Sequence, residues 1–323
     1  HDTCYKYSDV KLEAQLAYTN KGPTGAFRGF GNPSAEWAVE QAIDLGAHKL
    51  GIDPMELARI NAAEVGYVSP HGNRVTSCEL KQCLDMTEKM IDWKAKRANR
   101  QPNIGLGLAC TVHVSGKRHF GDYDGSSATI KINEDGKALI LSGEGECGQG
   151  VHTAMCQIAA EELGVPVEDV EISRADTDLT TFCLGAFASR LTYVSGNAVK
   201  NAATNVKQQL FEQAAEMLEA NRADLMSRDG KIFVKGAEGK FLTVSEVARA
   251  RLFRHNGAPI VGSGSFDADS VLPDATRFGN ESGAYNYGAQ AVEVHDDPQT
   301  DKFTSNDYAT AFEAGIVILP TVA

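Results

Sequence analysis

The residues best suited to chemistry in this chain lie in polar turns flanked by glycine. The run Gly143-Glu-Gly-Glu-Cys-Gly-Gln-Gly-Val-His-Thr153 joins a strand-like segment to an amphipathic one. A helix opening at about Gly150 would aim unpaired backbone N–H groups and the positive end of its dipole into the turn. A phosphate could sit there with no Cβ in the way. A purely structural turn is the competing reading, since glycine serves both. A second run, Ala26-Phe-Arg-Gly-Phe-Gly-Asn-Pro33, sets two aromatics and an arginine among glycines. It reads either as a tight turn with one core Phe or as a stacking ring beside a cation, suited to a planar, electron-poor or anionic molecule. In the third, Gly185-Ala-Phe-Ala-Ser-Arg190, small residues and hydroxyls precede a long helical pattern. They could offer donors to a polar ligand or simply let helices pack closely. His113 and His152 read as satisfied interior residues, and His119 falls in a polar stretch, Ser115 to Ser126, expected to be a mobile loop. Glu144 and Glu146 read as loop or solvent carboxylates.

The elements that must hold these turns follow from periodicity. Val10 to Tyr18 alternates loosely, as a half-buried strand would, before turn formers take over at Thr19. Pro33 and Ser34 open a helix with Ala35, Val39, Ala42, Ile43 and Leu50 on its apolar side, ending near Gly51. Asp53-Pro54 is an N-cap with proline at the first helical position, for a helix running to Glu64. A third helix is expected from Glu79 to Arg97, and its charged end before Pro102 marks a domain boundary near residue 100. Ile104 to Val114 is a glycine-dotted buried strand. Ser127 to Asn133 and Ala138 to Ser142 form a hairpin leading into the glycine turn. Val151, Met155, Ile158, Ala159 and Leu163 recur at helical spacing, and Val199, Ala202, Val206, Leu210, Ala214 and Met217 do the same on a longer helix. Thr243-Val-Ser-Glu246 is a capping box, and Gly288 to Val294 and Phe303 to Ala311 complete the chain as strands.

A chain of 323 residues, 42% hydrophobic and 23% charged, has room for two cores. Its formal charge of −12 works against a surface for nucleic-acid phosphates. No apolar run is long enough to span a bilayer, and His1 starts no signal sequence, so a cytoplasmic location without membrane insertion is expected. Seven scattered cysteines read as reduced thiols, and Cys78 with Cys83 lacks a second pair at zinc-ligand spacing. The absence of an initiator Met suggests a processed chain or an internal piece.

In sequence order, Tyr18-Thr-Asn20 with Gly25-Ala-Phe-Arg-Gly-Phe-Gly31, Gly51-Ile-Asp-Pro54 with Arg59 and Asn61, Gly148-Gln-Gly-Val-His-Thr153, Ala188-Ser-Arg190 with Gly196-Asn-Ala-Val199, and Tyr287-Gly-Ala-Gln-Ala-Val-Glu293 form one pattern. With it the chain resembles the molybdopterin-binding large subunit of the xanthine oxidase family of molybdenum hydroxylases, aryl-CoA reductase members such as 4-hydroxybenzoyl-CoA reductase included. The resemblance implies an α+β fold of mixed sheets and packed helices in two cofactor-binding subdomains, residues 1–100 and 101–323. It implies a molybdenum–molybdopterin cofactor, as such or as its cytosine dinucleotide, contacted by Arg28, Gly148, Gln149, Gly150, Thr153, Ala188, Ser189 and Arg190. Phe30, Cys110, Thr111 and Phe187 would line the substrate pocket. The implied activity is hydroxylation of an aromatic or N-heterocyclic substrate with oxygen from water, or reduction of an aryl-CoA. Iron–sulfur clusters and FAD are expected on partner subunits. The family's catalytic glutamate and further cofactor loops match no residue here, so the chain is expected to act with the remaining segments of the large subunit, or as a non-catalytic scaffold needing partner chains.

Overall fold

The computed structural model describes residues 2–118, 121 and 123–320, and His119 lies outside them. The fold is α+β and divides into two compact units that no single cut in the chain produces. The first takes His1–Arg118 and Asp269–Gly315, the second His119–Ala268 and Ile316–Ala323.

In the first unit, β1 (Ile104–Val114) pairs antiparallel with β9 (Tyr285–Asp297), which pairs with β10 (Lys302–Phe312). This non-local pairing groups residues 104–118 with residues 269–315. One face of the sheet carries Cys110, Val112, Tyr287, Ala289, Ala291, Ala309 and Ala311 into a core shared with Met55, Leu80, Leu84 and Trp93. Around the sheet stand α1 (Asn32–Leu50), α2 (Pro54–Asn61), α3 (Leu80–Met90) and α4 (Trp93–Ala98). Gly51 ends α1 in the left-handed conformation, and the Asp53 carboxylate accepts the Met55 N–H at 2.9 Å to cap α2. The expected third helix is interrupted. Asp92 adopts φ 53°, which turns α4 so that Trp93 enters the core and its Nε1–H donates to Asp53 at 3.0 Å. Val10 to Tyr18 forms no strand, because among the described residues no partner strand pairs with it, and Leu12, Leu16 and Tyr18 are exposed.

In the second unit the sheet order is β4-β3-β2-β8, with β2 (Ser126–Ile132) antiparallel to β3 (Ala138–Leu141) and β8 (Ile260–Phe266), and β3 parallel to β4 (Val170–Ile172). A smaller antiparallel sheet joins β5 (Leu225–Arg228), β6 (Lys231–Val234) and β7 (Phe241–Thr243). The helices are α5 (Val151–Leu163), α6 (Gly196–Leu218) and α7 (Val244–Arg254), the last opened by the expected capping box. Sequence periodicity misses β8, whose Gly-Ser composition has little strand character. Its glycines are there for packing. A Cβ on Gly264 would lie under 3.0 Å from the α6 backbone at Ala198, Asn201 and Ala202, so only glycine lets that helix rest on the strand.

Candidate functional site

The glycine turn forms as the sequence suggests, with one difference. Gly148 and Gly150 take φ 98° and 76°, and α5 starts at Val151. The N–H groups expected to be open to an anion converge on the Glu146 carboxylate: Gly148 and Gly150 donate to Oε1 at 2.8 and 3.0 Å, His152 to Oε2 at 3.2 Å. Desolvation is the largest single influence on the Glu146 pKa and pushes it up, but these donors together outweigh it and hold the group below the usual carboxylate range. Gln149 folds back, its amide donating to the Gly145 carbonyl at 2.9 Å. Thr153 is exposed on the first turn of α5. The turn is thus an anion cradle carrying one of the chain's own carboxylates.

Glu144 is no solvent residue. At 1% exposure it accepts from Ser126 Oγ at 2.7 Å, Ser195 Oγ at 2.6 Å and the Cys183 thiol at 2.9 Å, and its carbonyl is bonded to His152 Nε2 at 2.9 Å. Burial and this carboxylate push the Cys183 thiol up to about 11. Arg190 is wholly buried. Its Nε pairs with Asp124 at 3.0 Å and its Nη2 donates to the Gly125 carbonyl at 2.6 Å, while Nη1 stands 3.7 Å from Glu144. The side chain expected at the cofactor is therefore turned inward, where it anchors the turn before it. In that turn Ala188 and Ser189 both sit at φ 51°, Ala188 buried and Ser189 exposed, with Phe187 half-buried beneath the Arg190 guanidinium at 5.9 Å. A π-helical turn, Leu191–Ser195, follows and delivers Ser195 to Glu144. Asp124, Cys183 and Ser195 were not foreseen, since nothing in their spacing announces a shared partner.

In the first unit, Asn32, Glu36 and Glu40 repeat every four residues along α1 and close the free edge of β1. Glu40 Oε2 accepts from the Cys110 N–H and the Tyr5 hydroxyl, both at 3.0 Å, and burial pushes this carboxyl up to about 7. Glu36 takes the Val112 N–H at 3.0 Å and the Thr111 hydroxyl at 2.8 Å. Asn32 donates to the Val112 carbonyl at 2.8 Å and touches His113 Nδ1 at 3.0 Å. Cys110 and Thr111 consequently part company. The Cys110 thiol faces the core at 1% exposure, and burial raises its pKa strongly, whereas Thr111 borders a groove of about 750 Å³ with Trp37, Glu40, Ala109, Val292 and Tyr308. Arg28 and Phe27 are exposed, and Phe30, at φ 57°, leans on the His113 ring with centroids 5.8 Å apart.

Backbone strain points to the same turns. Among the described residues, apart from Asn and Asp, which tolerate positive φ, and Glu219, which ends α6, the non-glycine residues at positive φ are Phe30, Ala188, Ser189 and Arg277, of which the first three lie in these turns. Strain of this kind collects where a ligand must be met. Among the described residues no group of three or more His, Cys, Asp or Glu could hold a metal ion, and no helix is long and apolar enough to cross a membrane.

Two models described as molybdopterin cofactor-binding domain match the chain, one over residues 84–323 and the other over residues 1–62. The chain belongs to this family. Its relatives place it among the large subunits of xanthine oxidase-type enzymes. It is 34% identical to a putative xanthine dehydrogenase molybdenum-binding subunit of Escherichia coli, over 99% of this chain and 41% of that protein. It is 28% identical to the nicotine 6-hydroxylase large subunit of Paenarthrobacter nicotinovorans, over 95% of this chain and 38% of that one. Quinoline 2-oxidoreductase from Pseudomonas putida 86 superposes with a TM-score of 0.81 at 26% identity, covering 94% of this chain and 40% of its own. The chain thus spans about two fifths of the length of these relatives.

Proposed function

We propose that this chain is the cofactor-binding part of a molybdenum hydroxylase acting on an aromatic or N-heterocyclic substrate, with water as the oxygen source. The observation that carries this reading is the convergence of three backbone N–H groups on one carboxylate at the glycine turn. A turn that already satisfies an anion fits the phosphate of a pterin cofactor. When bound, the cofactor supplies the metal centre that activates water and takes up electrons.

The chain's own residues bind and orient. Gly148, Gln149, Gly150 and Thr153 hold the phosphate once Glu146 swings aside. Ala188 and Ser189 present the second contacting turn, which Arg190 keeps in place from behind through Asp124 and Gly125. Arg28 supplies a cation at a third turn. Phe30 and Thr111 line the substrate pocket of the first unit, Cys110 acts there by fixing the strand, and Phe187 narrows access beside the Ser189 turn. The base and the remaining cofactor contacts would come from other segments of the large subunit, and iron–sulfur and FAD subunits would be its partners for electron transfer. Exposed Phe27, Trp37 and Phe312 favour such assembly, since large apolar side chains gain by being covered.

Metal and pterin analysis of the native assembly tests the reading. Molybdenum and pterin in equal amounts are expected, and an assembly containing this chain but neither component refutes it.

A further inference from the structure

His113 does more than fill a strand. The Val112 carbonyl accepts from Asn32 Nδ2 at 2.8 Å, which fixes the orientation of the Asn32 amide, because the flipped amide would set oxygen against oxygen. The same Nδ2 lies 3.0 Å from His113 Nδ1. An amide nitrogen only donates, so Nδ1 must accept, and the neutral ring carries its proton on Nε2. Nε2 has no hydrogen-bond partner among the described residues, and the half-buried ring stands beside Phe30 with centroids 5.8 Å apart and planes tilted by 39°. Burial lowers the His113 pKa, with the Glu36 charge pulling the other way. Protonation at Nδ1 would also set two donors against each other. A backbone carbonyl thus dictates, through one amide, a fixed N–H donor on the ring that neighbours Phe30.

We propose that His113 is a specificity-determining residue, whose Nε2–H donates to a ring nitrogen of a flat substrate lying against Phe30. The proposal rests on the substrate role given to Phe30 above. It favours N-heterocycles over carbocycles of the same shape, because a carbocycle would leave the donor unpaired.

Two experiments test it. Nitrogen-15 spectra of the histidine-labelled chain are expected to show His113 protonated at Nε2 alone at neutral pH, and Asn32→Asp is expected to move a proton to Nδ1. A wild-type ring protonated at Nδ1 overturns the proposal. Calorimetric binding to the native assembly then compares quinoline-3-carboxylate and quinoline-6-carboxylate with 2-naphthoate. The wild type is expected to bind at least one quinoline acid about tenfold more tightly, as one hydrogen bond allows. His113→Ala should abolish that preference and His113→Gln, which keeps an N–H donor, should retain it. A His113→Ala variant that weakens all three acids alike, or none, sinks the proposal. Phe30→Ala separates the two readings: it should weaken all three acids alike if Phe30 is the ring wall. Unchanged binding in that variant, or a wild type that binds none of the acids, removes the Phe30 reading and this inference with it.

Discussion

Glu40 makes the stability of the first unit depend on pH in a direction opposite to most carboxylates. Buried at 7% exposure, it offers Oε2 to Tyr5 and Cys110, but Oε1 has no hydrogen-bond partner among the described residues. Burial therefore lifts its pKa from 4.5 to about 7. A carboxyl raised in the folded state holds its proton longer there than in the unfolded chain. Its contribution is fully present below pH 4.5 and is lost as pH rises through about 7. At about 1.4 kcal/mol per pH unit, a gap of roughly 2.5 is worth about 3–4 kcal/mol, of which about 2–3 kcal/mol falls between pH 5 and pH 8. Glu40→Gln keeps an acceptor for Tyr5 and Cys110 and cannot ionise. Urea unfolding of both proteins at pH 5 and pH 8 should show the variant gaining about 2–3 kcal/mol on the wild type across that interval. Parallel pH profiles, or a wild type that gains on the variant at pH 8, would show that Glu40 is not held protonated by burial. The consequence reaches the site, since Glu40 and Glu36 together hold the β1 edge that carries Thr111 and His113.

Three other outcomes are expected. Glu146→Ala should free the N–H groups of the glycine turn, costing the chain about 1 kcal/mol, as loss of a helix cap does, while tightening binding of inorganic phosphate measured by calorimetry; unchanged phosphate affinity would mean the carboxylate does not compete for the cradle. Arg190→Met should destabilise the second unit by about 3–5 kcal/mol in thermal or urea unfolding, because Asp124 and Glu144 lose a buried cation; a loss under 1 kcal/mol would contradict the role given to that network. Gly264→Ala should lower stability by about 1–3 kcal/mol or more through overpacking against α6, and a neutral effect would show that the helix can shift away at little cost.

How much of this was legible in the sequence depended on the range of the interaction involved. Helix α1 with its Gly51 stop, the Asp53-Pro54 start, the β2–β3 hairpin, the α5 and α6 stripes and the Thr243 capping box are all written within a few neighbouring residues, where capping, periodicity and turn chemistry act. The glycine turn and its helix start were legible for the same reason, and the motif order was enough to indicate the family. Tertiary structure decided what lies across gaps in the chain. Pairing of β1 with β9 places residues 269–315 with the first unit, and no local pattern encodes a partner some 180 residues away. Val10 to Tyr18 alternates like a strand and finds no partner, whereas β8 lacks strand character and is held by α6 lying on its glycines. Only the folded chain turns Arg190 and Cys110 inward and makes Glu144 a buried hub. It also seats Glu146 on the N–H groups that the sequence offered to a ligand, and it fixes the His113 tautomer through Asn32. Each of these depends on which distant polar group a side chain meets once water is excluded, and spacing along the chain carries no record of that encounter.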